Sequence, residues 1–383
     1  MSTQWSDERL ARAGLTMACE AGSATLAGKV LEHGAQQVWQ TLRNSSAEGR
    51  WAARAKGLEL AELVGTAERR GVRFVIPGDP EWPESLDVLQ HTDLKGLGGL
   101  PLGLWLRGPG HLARWSERAV AIVGSRASTQ YGDHVATDLA MGLAESGQKH
   151  EPWTVVSGGA YGIDGSAHRG AIAAGGRTIA VLACGLDDPY PRGNQVIFDA
   201  IRNDHLLVSE LPCGLHPTRV AFLARNRLIA ALTSGSIVVE AAARSGANNT
   251  ASWANACGRV VMAVPGSVRS AMSITPHRLI RDRQATLVTD VADVLALVEP
   301  LVSAPTLPFG GEDRPLDRLP AELMEVREAL PARGGMTAGE VARRTGLGMA
   351  AVLSRLSRLE ESHLARRDEL GRWRIDAPRK AVA

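Results

Sequence analysis

Between residues 119 and 288 the chain repeats one pattern: a short continuous apolar run, then a stretch that is usually long enough for a helix. The runs fall at 119–123, 154–156, 178–182, 206–208, 236–239, 260–264 and 286–288. Continuous apolar runs mark strands buried on both faces, and strands joined through helices run parallel. The expected fold is α/β, a parallel sheet with helices on both faces. Ligands of such sheets bind at the carboxyl ends of the strands, and here those ends carry the unusual residues.

One such end is Val155-Val156-Ser157-Gly158-Gly159-Ala160-Tyr161-Gly162-Ile163-Asp164. A glycine-rich turn between a strand and a helix presents backbone N–H groups at the helix N-terminus, where an anion is stabilised. The spacing is not GxGxxG. The next strand ends in Ala183-Cys184-Gly185, without the acid that a dinucleotide ribose needs. The chain also lacks GxxxxGK[ST], which disfavours P-loop ATP hydrolysis. No nucleotide cofactor is expected. Asp164 and His168, four apart on the following helix, are either an acid–base pair or, more commonly, a pair that packs near a helix start.

Other strand ends add cationic groups. Val123-Gly124-Ser125-Arg126 combines a close turn, a hydroxyl for a phosphate oxygen and a guanidinium that can clamp it. Arg219-Val220-Ala221-Phe222-Leu223-Ala224-Arg225-Asn226-Arg227 sets three arginines and an asparagine around one of only four phenylalanines. Arginine offers bidentate phosphate contacts and Phe222 a face for a base; the alternative is a basic helix with its Phe in the core. Arg192 follows another strand. Ser245-Gly246-Ala247-Asn248-Asn249-Thr250 is a second glycine-containing approach to a helix. Glu210 and Glu240, also at strand ends, could serve a hydrolase or orient Arg225 and Arg227; the second role is favoured.

Lys and Arg number 43 against 41 Asp and Glu, so net charge alone names no partner. Its distribution says more. Between residues 215 and 285 stand nine arginines (219, 225, 227, 244, 259, 269, 278, 281 and 283), opposed only by Glu240 and Asp282. The four cysteines are scattered, with no CxxC and no His at ligand spacing, and read as reduced core residues without a metal. No apolar run approaches about 18 residues, and no apolar segment follows a basic start. The expected location is the cytoplasm, away from any membrane.

Around the sheet, residues 1–75 read as a small helical domain: Leu26, Val30 and Leu31 share a face, Gly34 caps the helix, and Val38 and Leu42 continue on the next. A short strand is expected at 72–76 and an edge strand at 104–106, inside a 76–298 sheet domain. Residues 299–318, rich in proline and glycine, read as a linker. Beyond it, 319–376 reads as a winged helix. Thr337 and Glu340 fit a capping box. Met349, Val352, Leu353, Leu356 and Leu359 form an apolar stripe, Ser354, Arg355, Ser357 and Arg358 an outer face, and 366–375 a two-strand wing.

In this order, Val123-Gly124-Ser125-Arg126, Ser157-Gly158-Gly159-Ala160-x-Gly162-Ile163-Asp164-x-x-Ala167-His168, Tyr190-Pro191-Arg192, Arg225-Asn226-Arg227-Leu228-Ile229-Ala230, Val239-Glu240-Ala241, Arg244-Ser245-Gly246 and Val264-Pro265-Gly266-Ser267 resemble the DNA-processing protein A (DprA, or Smf) family. Each motif is weak alone; the ordered set is specific. Where the family usually has Pro this chain has Leu223, and 277–285 lacks an Asn and a Gly of the family pattern. The resemblance implies an extended Rossmann-like domain between a small helical (SAM- or HhH-like) domain and a winged helix. It implies a homodimer that binds single-stranded DNA without catalysis and loads RecA recombinase during natural transformation. The DNA contacts it implies, together with those read from the residues, are Gly124, Ser125, Arg126, Ser157, Gly158, Gly159, Arg192, Arg219, Phe222, Arg225, Asn226, Arg227 and Gly246. A nucleotide phosphoribohydrolase on a similar fold is the alternative, with Glu240 acting at the ribose. Its Pro-Gly-Gly-x-Gly-Thr-x-x-Glu pattern is poorly matched by Thr233-Ser234-Gly235-Ser236. A regulator that reads duplex DNA through the winged helix is a third possibility.

Overall fold

The computed structural model describes residues 5–45, 49–146, 151–299 and 319–376. The chain divides into two compact units, Met1–Val302 and Ser303–Ala383. In the first, the apolar runs become seven of the eleven strands among the described residues. The eleven are β1 (Arg73–Val75), a separate hairpin of β2 (Asp93–Leu94) and β3 (Leu97–Gly98), then β4 (Leu104–Arg107), β5 (Ala119–Val123), β6 (Thr154–Ser157), β7 (Thr178–Leu182), β8 (Leu206–Ser209), β9 (Gly235–Val238), β10 (Val260–Ala263) and β11 (Thr286–Leu287).

Nine of them form one sheet in the order β1-β4-β8-β7-β6-β5-β9-β10-β11. From β8 to β11 every pairing is parallel. Strand β4 pairs antiparallel with β8, and β1 antiparallel with β4. Thus 104–106 is not the edge strand expected from the sequence. Leu104, Trp105 and Leu106 are fully buried, and β1 takes the edge outside them.

Five helices precede the sheet: α1 (Asp7–Ala18), α2 (Ala24–His33), α3 (Ala35–Asn44), α4 (Arg50–Lys56) and α5 (Leu60–Arg69). Leu15, Leu26, Val30, Val38 and Trp39 share one cluster. Gly34, at φ +79°, makes the junction of α2 and α3. Leu31 does not join the apolar face; it is 67% exposed, one residue and about 100° around the helix from Val30. Ala13, Leu63 and Ala67 pack with Phe74, Trp105 and Leu207, so these helices share a core with the sheet.

The remaining helices are α6 (Leu112–Ser116), α7 (Gln130–Glu145), α8 (Ile163–Ala173), α9 (Gln195–Asp204), α10 (Arg219–Ala231), α11 (Ala247–Ala256), α12 (Ile274–Arg281) and α13 (Val291–Val298). Alternation along β5 shows the two covered faces. Val120 and Ile122 pack with Ala136, Leu139 and Ala167 of α7 and α8. Ala119, Ala121 and Val123 join the cluster of Leu228, Ala251 and Trp253 from α10 and α11. The chain winds from β5 through β6 and β7 to β8, and α10 then returns it to β9 on the other side of β5. That reversal places a crevice at the carboxyl ends of β5 and β9.

The second unit holds α14 (Ala321–Ala329), α15 (Ala338–Thr345), α16 (Met349–Glu361) and the antiparallel pair β12 (Ala365–Arg367) and β13 (Trp373–Ile375). Thr337 and Glu340 form the capping box, and Val326, Val341, Val352, Leu356, Leu359 and Trp373 form the core. Arg355 leaves the expected outer face: its guanidinium lies 3.1 Å from Glu325 and 3.9 Å from Glu322. Residues 300–318 of the expected linker lie outside the described residues. Among those described, no helix is long and apolar enough to cross a membrane, and all four cysteines are free and buried.

Candidate functional site

The crevice between β5 and β9 holds a cavity of about 550 Å³. Of the residues expected from sequence, Gly124, Ser125, Arg126, Phe222, Arg225, Asn226 and Gly246 line it. They come from three separated segments: the turn after β5, the first half of α10, and the start of α11.

The two glycine turns lock together. A Cβ on Gly124 would lie 2.4 Å from the Ile163 side chain and 2.8 Å from the Glu240 carbonyl oxygen. Gly162, at φ +71°, sits against the Ser125 carbonyl, and that carbonyl accepts from the Ile163 N–H (3.2 Å). The Ser125 N–H donates to the Glu240 carbonyl (2.6 Å), which ties the end of β5 to the end of β9.

Arg225 is 7% exposed and lies directly over Gly158. Its Nη1 donates to the carbonyls of Gly158 (2.6 Å) and Val181 (2.5 Å), and its Nε to Asn226 Oδ1 (3.2 Å). Burial pulls its pKa down to about 10, and the Asp164 carboxylate opposes that shift. Burial in turn raises the Asp164 pKa, opposed by Arg225 and by the backbone N–H groups of Ala160 and Gly158. The Asp164 carboxyl thus occupies its own glycine turn: the Ala160 N–H donates to Oδ2 (3.2 Å). The amides that the sequence pattern offered to a phosphate are partly spent. The open position is instead the N-terminus of α11, where a Cβ on Gly246 would meet nothing within 4 Å.

Arg126 is exposed, and its guanidinium carbon stands 4.8 Å from the centre of the Phe222 ring. Tyr190 meets the same ring edge-on, 6.2 Å between centroids. Phe222 is thus only partly in the core, and it lines the cavity together with Arg126.

The other expected residues lie elsewhere. Ser157 is fully buried and donates to the Ile122 carbonyl (2.7 Å). Gly158 and Gly159 form the floor beneath Arg225 and beside Phe198. Arg192 is exposed beside Asp188 (3.3 Å), and Arg219 is exposed at the first turn of α10. Arg227 does not reach the cavity; it is 1% exposed and paired with Glu210 at 2.5 Å. Glu240 pairs with no arginine among the described residues. Its oxygens accept from the Thr129 N–H (2.8 Å) and Thr129 Oγ1 (2.7 Å), at the start of α7. Asp164 and His168 do not meet as an acid–base pair: His168 Nδ1 is 2.8 Å from Thr178 Oγ1, and burial pushes its pKa down to about 3. Arg244, Ser245 and Thr250, which were not among the expected DNA contacts, also line the cavity; the signal for Arg244 was a cation directly before Ser245-Gly246. Met272, another lining residue, had no sequence signal.

The family model described as DNA recombination-mediator protein A matches residues 73–299, more than half of the chain. The chain belongs to that family. It is similar to the DNA processing protein DprA of Mycobacterium tuberculosis, 47% identical over 318 residues, which cover 80% of this chain and 78% of that protein. The DNA processing protein DprA of Streptococcus pneumoniae is 41% identical over 214 residues, 56% of this chain and 73% of its own. The X-ray structure of the Streptococcus pneumoniae protein superposes with a TM-score of 0.63 at 32% identity, covering 78% of this chain and 99% of that one. The β5–α10–β9 crevice falls inside the family match.

Proposed function

We propose that the crevice binds single-stranded DNA without catalysis, and that a cytoplasmic homodimer of this chain delivers the strand to RecA recombinase during natural transformation. The carrying observation is the Arg126–Phe222 pair at the mouth of a cavity whose wall is Arg225. A guanidinium stacked on a partly exposed ring offers one phosphate and one base a place side by side. Family membership supports the recombination role. Glu240, the residue a phosphoribohydrolase would use, has its oxygens engaged by Thr129, so the binding reading is preferred.

The test is a salt titration of single-stranded and duplex oligonucleotides. Binding of the single strand should weaken with a log–log slope of about −0.7 per neutralised phosphate. Arg126→Ala should lower affinity and flatten the slope by about that increment, since it removes one phosphate contact. Equal affinity for duplex, or an unchanged slope in Arg126→Ala, would sink the proposal. Strand exchange by RecA on protein-coated single strands tests the delivery step, which predicts stimulation by the wild type.

A further inference from the structure

The chain has three tyrosines, Tyr131, Tyr161 and Tyr190, and all three stand at the carboxyl edge of the sheet. Each leaves nearly half of its surface in solvent (47%, 48% and 45%). Tyr190 follows β7, Tyr161 lies in the turn after β6, and Tyr131 opens α7 after β5. The tryptophans behave differently: none of the nine is exposed. Among the described residues, then, the exposed aromatic rings are these three.

Each ring is anchored on one side and open on another. Tyr131 Oη donates to the Pro265 carbonyl beyond β10 (2.6 Å). Tyr161 Oη accepts from the Gly193 N–H (3.3 Å). Tyr190 is held edge-on by Phe222. From β7 to β10 the sheet order is β7-β6-β5-β9-β10, a span of roughly 19 Å at the usual strand spacing. Exposed arginines interleave along it: Arg192 next to Tyr190, Arg126 over Phe222, and Arg269 in the loop after β10. Alternating cations and fixed ring faces form a track for a single strand, because every base has a face to stack.

We propose that Tyr190, Tyr161 and Tyr131 are base-stacking platforms that extend the bound strand across the carboxyl edge of the sheet, on both sides of the Phe222 cavity. The proposal rests on single-stranded DNA being the ligand. A purely structural role would use the hydroxyls of Tyr131 and Tyr161; stacking uses the rings. The two roles therefore diverge on Tyr→Phe.

The experiment measures binding of oligothymidines of graded length to the full chain, wild type against Tyr→Ala and Tyr→Phe at each position. Each Ala variant should lose about 5- to 150-fold on strands long enough to cross the edge, the worth of one stacked base. The salt slope should stay unchanged, since no phosphate contact is removed. The Phe variants should bind like the wild type. Photocrosslinking of iododeoxyuridine-substituted strands to the wild type should label the three tyrosines, a readout independent of any variant's folding. Wild-type binding with unaffected Ala variants, Phe variants as weak as Ala, or crosslinks confined to Phe222 would each overturn the row and leave the single-strand reading intact. A wild type that binds no single strand overturns both.

Discussion

A Cβ placed on Gly158 would lie 2.3 Å from Nη1 of Arg225, whereas one placed on Gly246 would touch nothing. Two glycines from the same sequence reading thus do different things. Gly158 makes room for a buried guanidinium that caps two carbonyls. Gly158→Ala must push that group off Gly158 and Val181, an overpacking that costs about 1–3 kcal/mol, and should weaken single-strand binding with it. Gly246→Ala has φ −61° and open space, so its stability should stay within about 0.5 kcal/mol of wild type. Urea denaturation of the two variants decides; equal losses would mean that Gly158 is not a support for Arg225. The sequence pattern identified both turns. It did not show that Asp164 would fill the first, because an acid in the first helical turn after a glycine turn reads equally well as a reactive group.

Helix α10 sorts its arginines by angle. Residues two apart on a helix point about 200° away from each other, so Arg225 and Arg227 cannot both face one crevice. Arg225 takes the cavity; Arg227 turns to Glu210 and the N-terminal helices, where a Cβ on Gly22 would sit 3.3 Å from its Nε. That separation was readable from spacing, but the choice of which arginine faces the cavity was not, since it depends on which side α10 lays on the sheet. Strand positions were legible for the same kind of local reason: the runs at 119–123 and 178–182 are β5 and β7 without change. The order of the strands was not, nor the bond that the Thr129 N–H donates to Glu240 across 111 residues. Breaking the buried pair should be severe. Arg227→Met strands the Glu210 carboxylate and should cost about 3–5 kcal/mol, while adding Glu210→Leu should recover most of it. Because Arg227 touches no proposed phosphate position, the double variant should keep the wild-type salt slope for single strands. A changed slope would put Arg227 back in the groove.

The first unit separates its charges by end. At the amino ends of the parallel strands, Arg114 and Arg177 share Glu151, and Arg118 pairs with Glu299. At the carboxyl ends, Arg126, Arg219, Arg244 and Arg269 have no ion-pair partner among the described residues, so a near-neutral chain presents one basic edge. The second unit does not copy that arrangement. Its core of Val326, Val341, Val352, Leu356, Leu359 and Trp373 closes without the first unit, and Arg355, central on the helix that would read a duplex, is committed to Glu322 and Glu325. The phosphate contacts should therefore belong to the first unit. Met1–Val302 expressed alone should bind single strands with the affinity and salt slope of the full chain, and its melting transition should match the corresponding one of the full chain. A flatter slope in the truncated protein, measured by the same salt titration, would show that residues beyond 302 neutralise phosphates of the bound strand, and the track would then have to be extended into the second unit.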